Sequence, residues 1–428
     1  MQQDYLLDSS LANPRVRLKA LPVPGPNPLQ TDPMLTTSIP PSIRHLRDMV
    51  AIPSVNPMNR EDLPAEITGE QAMAEHVAAS LRSMGLDSVL LGRDGRTSVV
   101  AQAEAHPGAE TVLVASHLDT VPVDGMEIPP FDPVIRDEQL YGRGSCDTKA
   151  GMAALLAALS GVLANGRLKR NLIIVGEADE ELGSIGVADV LSHLGPQRPD
   201  WVLATEPTDL QIIQAHKGVV HARLCAHGRA CHSSEPDRGK NAIVILARAI
   251  LQLEENAKIF TQRPDPILGP ATLSIGIVHG GQAPNIVPDE ARVWVDRRTL
   301  PGESATSVRA ELETALAEAN LAGEVVVESC TEEKPPLGAI PGSPALTAMG
   351  ETLRALDLPD TPAEVAFGTD AGVFARAGIP GVVMGPGSIN LAHTARECVP
   401  IAQVESMVRI FEELLTTESE ARVSSSRA

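Results

Sequence analysis

Hydrophobic and polar positions follow two periodicities along most of this chain. Short apolar runs such as 111–115 and 172–175 have the length and the β-branched content of buried strands. Between them, segments such as 69–84 and 150–163 repeat apolar residues at three- and four-residue spacing, which predicts amphipathic helices. Because strand-like and helix-like segments alternate up to residue 204, the pattern predicts a parallel α/β sheet.

The elements predicted in this first region are helices and strands of ordinary length. The helices are predicted at 43–50, 69–84, 150–163 and about 184–194, and the strands at 98–102, 111–115, 172–175 and 201–204. From Pro344 onwards a helix and strand alternation resumes.

A different pattern separates these two regions. After Lys217 the chain is rich in strand-forming residues at 219–225, 272–278, 291–296 and 324–329, with helical patterns at 241–255 and 304–318. The order β-α-β-β-α-β is that of a ferredoxin-like unit. We therefore predict an α/β fold in which a mainly parallel domain is discontinuous (39–217 and 331–417), with an inserted ferredoxin-like α+β domain at 218–330.

Composition bounds the class of protein. The 428 residues are enough for two domains, and 43% apolar with 21% charged residues is typical of a globular protein. The formal net charge of −20 argues against nucleic acid and anionic membranes as partners. No apolar run approaches the ~20 residues that span a bilayer.

The termini and the cysteines carry less information. Residues 1–38 are rich in proline and lack a signal-peptide pattern, so they are either a flexible tail or the result of a start assigned too far upstream. Residues 418–428 form a second, polar tail. The five cysteines are odd in number and lack zinc-finger spacing, which predicts free thiols and a cytoplasmic location.

Side chains that bind metals occur in five short stretches, four of which follow a strand-like run. They are His117, Asp147, Glu181, Glu206 and His393. Ligands of open parallel sheets bind at the carboxyl ends of the strands. Two imidazoles and three carboxylates suit zinc, and five ligands exceed one tetrahedral site, which favours two metals bridged by a carboxylate.

Each signal has a plainer alternative when it is taken alone. Asp119 is placed to orient His117, but the same His-Leu-Asp sequence also suits a polar turn at a strand end. Asp147 can bridge two metals or cap the next helix. Beside Glu181, Glu180 can take a proton from water, or both can belong to a solvated acidic loop.

The inserted region has its own candidates. His232 lies in GRACHSS, Asn285 in QAPNIVPD and Arg298 in DRRTLPG. An arginine that faces a cleft can clamp a substrate carboxylate through two hydrogen bonds, whereas an exposed ion pair is the alternative for a single arginine.

Together these motifs resemble one family of zinc-dependent exopeptidases and deacylases. It includes acetylornithine deacetylase, succinyl-diaminopimelate desuccinylase and glutamate carboxypeptidase. The matching motifs are SHLDTVP, GRGSCDTKAG, DEELGS, ATEPT, ACHSS, NIVPD, DRRTLPGE, GTDAGVF and AHTARE. They occur in the order and spacing of the family, and the resemblance extends from about residue 43 to 413. It implies that the mainly parallel-sheet domain is a metallopeptidase-like catalytic domain and that the inserted ferredoxin-like α+β domain is a dimerisation domain.

The resemblance implies a role for each candidate in the metal site. One zinc is held by His117, Asp147 and Glu206, and the other by Glu181, His393 and the same bridging Asp147; cobalt is an alternative metal. In this scheme Glu180 is the general base and then the general acid, and Asp119 orients His117. Related enzymes also have a cis peptide bond after the bridging aspartate, which predicts one at Asp147–Thr148.

The resemblance further implies a homodimer. The smaller domain mediates dimerisation and closes over the cleft, and His232 reaches the neighbouring subunit's site to steady the oxyanion. The positions that match substrate contacts are Asn285, Arg298, Gly368 and Thr369.

The activity implied is hydrolysis of the amide bond of an N-acyl amino acid. Glu206 stands where carboxypeptidase-type members often carry Asp, which favours the deacetylase and desuccinylase side. A metallo-carboxypeptidase or dipeptidase is the enzymatic alternative. A non-catalytic metal-binding scaffold is a remote one, because every expected catalytic residue is present.

Overall fold

A computed structural model describes residues 39–93 and 95–418 of the chain. The predicted tail at 1–38 and all but Glu418 of the predicted tail at 418–428 lie outside the described residues. The helices, in chain order, are α1 Pro41–Val50, α2 Gln71–Ser83, α3 Lys149–Ala164, α4 Ile185–Leu194, α5 Ala242–Ala257, α6 Ala305–Glu318, α7 Pro344–Ala355, α8 Ala371–Arg376 and α9 Ile401–Thr416.

The strands also follow in chain order. They are β1 Ser88–Arg93, β2 Arg96–Ala103, β3 Thr111–His117, β4 Val134–Arg136, β5 Gln139–Tyr141, β6 Asn171–Glu177, β7 Trp201–Ala204, β8 Ile213–His216, β9 Gly218–His227, β10 Cys231–His232, β11 Thr272–Gly280, β12 Ile286–Val287, β13 Glu290–Thr299, β14 Val325–Lys334, β15 Ala363–Val365, β16 Gly381–Val383 and β17 Cys398–Pro400.

The larger sheet has the order β1-β2-β6-β3-β7-β16-β8-β15 in the described part of the chain. Its central strands β6, β3, β7 and β16 are parallel to one another, as are β8 and β15, while β1, β2 and the β16–β8 contact are antiparallel. Strands β3 and β6 are apolar and almost entirely buried, as expected for strands covered on both faces. The predicted mainly parallel sheet is confirmed.

Helices cover this sheet through apolar side chains. Helix α4 contributes Val187 and Val190, and α8 contributes Phe374, to a buried cluster with residues of β2, β3, β6 and β7. Helices α1, α3 and α9 pack against one another, and α3 is buried along most of its length. Because α3 begins two residues after Asp147, this packing fixes where the candidate ligand lies.

The second sheet is antiparallel throughout, with the order β11-β13-β9-β14. Helices α5 and α6 share a separate apolar core with it. With β9 as the first strand, this is the strand order of a ferredoxin-like unit, so the predicted β-α-β-β-α-β succession is confirmed. Strand β14 continues past its predicted end at 329 to Lys334.

Several short strands were not predicted from the sequence, and one pair of them positions segments of the candidate site. Strands β5 and β17 pair antiparallel, with Tyr141 opposite Cys398. Three residues carry too little periodicity to be recognised as a strand. The pairing brings residues 142–147 beside residues 392–397, although these segments are far apart in the chain.

Among the described residues, none of the helices has the length and apolar character that crossing a membrane requires.

Candidate metal centre

The candidate ligands gather at the carboxyl edge of the larger sheet. His117 ends β3 and is level with Glu177, the last residue of the parallel strand β6. Glu180 and Glu181 follow β6, and Glu206 follows β7. Because these strands are parallel neighbours, side chains just beyond their ends meet at one edge.

The first group of ligand atoms belongs to His117, Asp147 and Glu206. All three are buried, and each places one potential ligand atom within 4.8 Å of the others. His117 Nε2 lies 2.9 Å from Asp147 Oδ1 and 3.8 Å from Glu206 Oε2.

The second group consists of Asp147, Glu181 and His393, again with ligand atoms within 4.8 Å of one another. His393 Nε2 lies 3.1 Å from Asp147 Oδ2 and 3.2 Å from Glu181 Oε2. Asp147 thus presents one oxygen to each imidazole. The Asp147–Thr148 peptide bond is cis, as predicted.

The electrostatics of the two groups fit divalent cations. Burial raises the pKa of Glu206 well above its ordinary value. Burial also acts to raise the pKa of Asp147, but hydrogen bonds from His117 and His393 outweigh it and lower that pKa. Hydrogen bonds to Asp147 and Glu181 raise the pKa of His393 to about 11. These buried carboxylates require nearby positive charge, which two cations would supply.

Asp119 makes contacts that the sequence did not predict. Its backbone oxygen, 2.9 Å away, is the hydrogen-bond partner of His117 Nδ1, whereas its carboxylate lies 3.6 Å from that nitrogen. The carboxylate accepts hydrogen bonds from the backbone N–H groups of Glu180 and Glu181, at 3.1 Å each. Asp119 therefore links the first histidine to the turn that carries both glutamates.

A buried polar network behind Asp119 was also missed. Asn56 Nδ2 donates to Asp119 Oδ2 at 2.8 Å, and Asn56 Oδ1 accepts from Arg96 at 2.6 Å. Arg96 in turn pairs with Glu70 and Asp179, at 2.7 and 3.0 Å. Each partner lies on a different segment, so no local sequence signal marks the network.

Glu397 is the least expected residue of the site. Its Oε1 accepts from the backbone N–H groups of Cys146 and Asp147, at 2.9 and 3.0 Å. Its Oε2 accepts from Gly144 N at 3.0 Å and from Arg143 at 2.6 Å. This fully buried carboxylate fixes the loop that carries Asp147. It lies in the AHTARE motif, four residues after His393, and that proximity was the one available signal.

Glu180 occupies a separate position beside the two ligand groups. Its side chain is buried, and burial raises its pKa to about 7. Lys334 Nζ lies 2.8 Å from Glu180 Oε1. Neither the burial of Lys334 nor its ion pair with Glu180 was predicted from the sequence.

The predicted substrate-contacting residues fall into two places. Gly368 packs against the side chain of Lys334, which contacts Glu180, and the hydroxyl of Thr369 lies 3.0 Å from His216 Nε2. Arg298 is about one-third exposed and pairs with Asp296 at 2.9 Å.

His232 and Asn285 lie on the inserted unit. His232 is exposed on β10, opposite Ile286 of β12, and its Nδ1 contacts the Ser234 hydroxyl at 2.7 Å. The backbone oxygen of Asn285 accepts from Ser233 N at 3.1 Å. Within the described residues, these contacts do not connect either side chain to the ligand groups of its own chain.

Comparison with known proteins identifies the family. The sequence model of peptidase family M20/M25/M40 matches residues 113–417, which is more than half of the chain. The chain belongs to this family. Acetylornithine deacetylase, desuccinylase and glutamate carboxypeptidase, named above, are M20 members, so the resemblance is confirmed.

Solved structures share the M20 fold over nearly their whole length. A metallo-carboxypeptidase, Sso-CP2 from Sulfolobus solfataricus, has a TM-score of 0.73 at 20% identity, over 88% of this chain and 99% of its own. A tripeptidase from Staphylococcus aureus has a TM-score of 0.69 at 24% identity, over 88% and 97%. YXEP from Bacillus subtilis, described as a dinuclear metal-binding M20 peptidase, has a TM-score of 0.64 at 18% identity, over 88% and 96%.

Family membership establishes the reaction class. This M20 protein is a metal-dependent hydrolase that acts on amide or peptide bonds. The non-catalytic scaffold considered from the sequence is therefore set aside.

Proposed function

We propose that this M20 protein is a dinuclear zinc amidohydrolase that cleaves the amide bond of an N-acyl amino acid. The observation that carries the proposal is the arrangement of two three-residue ligand groups around one shared carboxylate, Asp147, with Glu180 free of both groups. A metal pair needs the shared ligand, and amide hydrolysis needs a base that is not itself a ligand.

Under this proposal His117, Glu206 and Asp147 hold one zinc, and Glu181, His393 and Asp147 hold the other. Two bound zinc ions would polarise the scissile carbonyl and lower the pKa of the attacking water. Cobalt(II) accepts the same imidazole and carboxylate ligands and would substitute for zinc.

Glu180 moves the proton. Its carboxylate accepts the proton of the attacking water and later delivers it to the nitrogen of the leaving amine. Asp119 holds the backbone of residues 180–181 through its carboxylate, and its carbonyl oxygen orients the His117 ring.

We propose that Arg298 and Asn285 of the inserted unit and residues 368–369, beside Lys334, contact the substrate. The Thr369 hydroxyl already forms a hydrogen bond with His216 Nε2. We therefore propose that Gly368 and Thr369 contact the substrate through their backbone atoms. Arg298 would exchange its partner Asp296 for the substrate carboxylate.

We also propose a homodimer that pairs through β11 and α5. Strand β11 is at the edge of its sheet and exposes Ile277 and Val278, and α5 exposes Val244 and Leu251. An apolar edge strand is a template for pairing with another chain. Through such a dimer His232 would reach the partner's site and stabilise the oxyanion.

The dimer is tested by Val278→Asp, which places a charge on the proposed interface. We expect a monomer by sedimentation and a loss of turnover comparable to that of His232→Ala, with zinc content unchanged in both. A wild-type protein that is monomeric and fully active would contradict the assignment of His232, and loss of zinc in His232→Ala would identify it as a ligand instead.

A cytoplasmic location is proposed on the state of the cysteines. All five carry free thiols, and Cys231 and Cys330 are partly exposed. Partly exposed thiols persist in a reducing compartment.

A metallo-carboxypeptidase or dipeptidase is the second candidate. It is favoured by the structural likeness to a metallo-carboxypeptidase. The same residues would act in the same way on a peptide bond.

A substrate panel separates the two candidates. The zinc- or cobalt-loaded protein is assayed with N-acetylornithine, N-acetylmethionine, N-succinylated amino acids and dipeptides, with Glu180→Gln as the inactive control. We expect the highest kcat/KM on an N-acyl amino acid. Faster cleavage of dipeptides would assign the peptidase, and an equal rate for Glu180→Gln would refute the proposed base.

A further inference from the structure

Lys334 brings a buried positive charge into the site from the second sheet. It is the last residue of β14, opposite Val219 of β9, and only 9% of its side chain is exposed. Its ammonium lies 2.8 Å from Glu180 Oε1 and 2.6 Å from the Ser184 hydroxyl, and it also donates to Asp370 Oδ1.

These contacts use all the hydrogen-bonding capacity of the ammonium. A lysine has three N–H donors and no acceptor, and here three oxygen atoms surround it. In this arrangement no donor is left for a substrate carboxylate. The geometry therefore does not suit a substrate clamp, which is the usual alternative for a cation near a cleft.

The ammonium is held firmly on the side away from Glu180. Asp370 is fully buried and also accepts a hydrogen bond from the Ser184 hydroxyl. Gly368 allows the lysine stem to pass, because a Cβ at Gly368 would lie 2.9 Å from Lys334 Cβ. The GTDAG motif thus supplies both the space for Lys334 and its anionic partner.

Glu180, by contrast, has a side chain with several rotatable bonds in a turn after β6. Its backbone N–H is held by Asp119 at 3.1 Å, but this contact does not set the direction of the carboxylate. The contact with Lys334 does, because a charged hydrogen bond in a buried setting favours one position of the carboxylate.

We propose that Lys334 is a positioning residue that aims the carboxylate of Glu180 at the attacking water. The inference rests on the proposed role of Glu180 as the base. It adds that the inserted sheet contributes to catalysis within its own chain, through the end of β14.

The primary test is Lys334→Met, which keeps the length of the stem and removes the charge. With the panel compound that gives the highest wild-type kcat/KM, we expect kcat to fall by about 10²-fold, as for a misplaced reacting group. We expect KM and the content of two metals per chain to stay unchanged, because Lys334 contacts none of the five ligands directly. A clamp for the substrate would instead raise KM at nearly constant kcat, which would overturn the proposal.

A double-mutant cycle with Glu180→Gln tests whether Lys334 acts through Glu180. If it does, little remains for Lys334→Met to remove once Glu180 is replaced, and adding it to Glu180→Gln changes kcat by less than about threefold, whereas independent effects would add in full. A full further loss in the double variant would show that Lys334 acts elsewhere. Wild-type kcat in Glu180→Gln would refute the role of Glu180 as the base. Wild-type kcat in Lys334→Met, with Glu180→Gln inactive, would refute only the positioning role of Lys334.

Two milder variants cover the case in which Lys334→Met does not fold. Lys334→Arg keeps the charge and should recover part of the kcat lost in Lys334→Met. Ser184→Ala removes one of the three contacts of the ammonium and should lower kcat, without changing KM or metal content. Wild-type kcat in folded, metal-loaded Ser184→Ala together with a raised KM in Lys334→Arg would refute the inference.

Discussion

Replacing Glu397 by Gln tests how the bridging ligand is held. Glu397 Oε1 accepts from Cys146 N and Asp147 N, and Oε2 accepts from Gly144 N and Arg143. A glutamine side chain has one acceptor oxygen and one NH2 group. In either orientation, the NH2 group therefore faces two donors and cannot satisfy them.

The loss of stability in Glu397→Gln depends on how deeply these groups are buried. Glu397 is fully buried and Arg143 nearly so. Two unsatisfied buried donors cost roughly 1–3 kcal/mol each, and a buried arginine that loses its anionic partner falls at the upper end of that range. We therefore expect the free energy of unfolding of the metal-free protein to fall by about 3–5 kcal/mol. Because the freed loop carries Asp147, which belongs to both ligand groups, the affinity for each metal should fall about 10–100-fold.

Glu110→Gln is the matched control. Glu110 forms a buried ion pair with Arg170 at 2.8 Å, and neither residue belongs to the ligand groups. It should lower stability without changing metal affinity. Denaturant unfolding of the metal-free proteins gives the first quantity, and zinc titration by calorimetry gives the second.

The reasoning is refuted if Glu397→Gln binds both zinc ions with wild-type affinity while losing as much stability as Glu110→Gln. Glu397 would then support the fold alone. Loss of affinity for only one zinc would show that the loop does not control the shared ligand.

Three further predictions concern the same chain. Glu180→Gln should lower kcat about 10²–10⁴-fold while two zinc ions remain bound, measured by steady-state kinetics and elemental analysis; near-normal kcat would exclude the base role. Asp147→Ala should lose both metals and His393→Ala only one, and equal stoichiometry in the two variants would contradict a bridging ligand. His216 is buried, and burial lowers its pKa from 6.5 to about 4, so the folded state binds its proton less well than the unfolded state. The free energy of unfolding therefore keeps its full value above pH 6.5 and falls by about 3 kcal/mol as the pH drops to 4. In urea unfolding, His216→Gln should lose this part of the acid sensitivity. An unchanged dependence of stability on pH in His216→Gln would disprove the prediction.

Local pattern was enough to predict much of the fold and to propose the candidate ligands. Strands such as β3 and helices such as α3 are long, strongly apolar and flanked by turn residues, so their type could be read from periodicity. The candidate ligands were proposed by the same reasoning, because parallel strands end at one edge, where His117 is the last residue of β3 and Glu206 follows β7. The order of strands and helices likewise predicted the ferredoxin-like unit.

The parts that only the tertiary structure decided are the contacts that aim these side chains. Glu397 holds the backbone of Asp147 across 250 positions of the chain, and Lys334 reaches Ser184 across 150. Short strands such as β5 and β17 become recognisable only once they have paired. The physical reason is that a buried carboxylate or ammonium is stable wherever the fold supplies a partner of opposite charge. Periodicity reports which face of an element is buried, but it carries no information about which distant residue will meet it there.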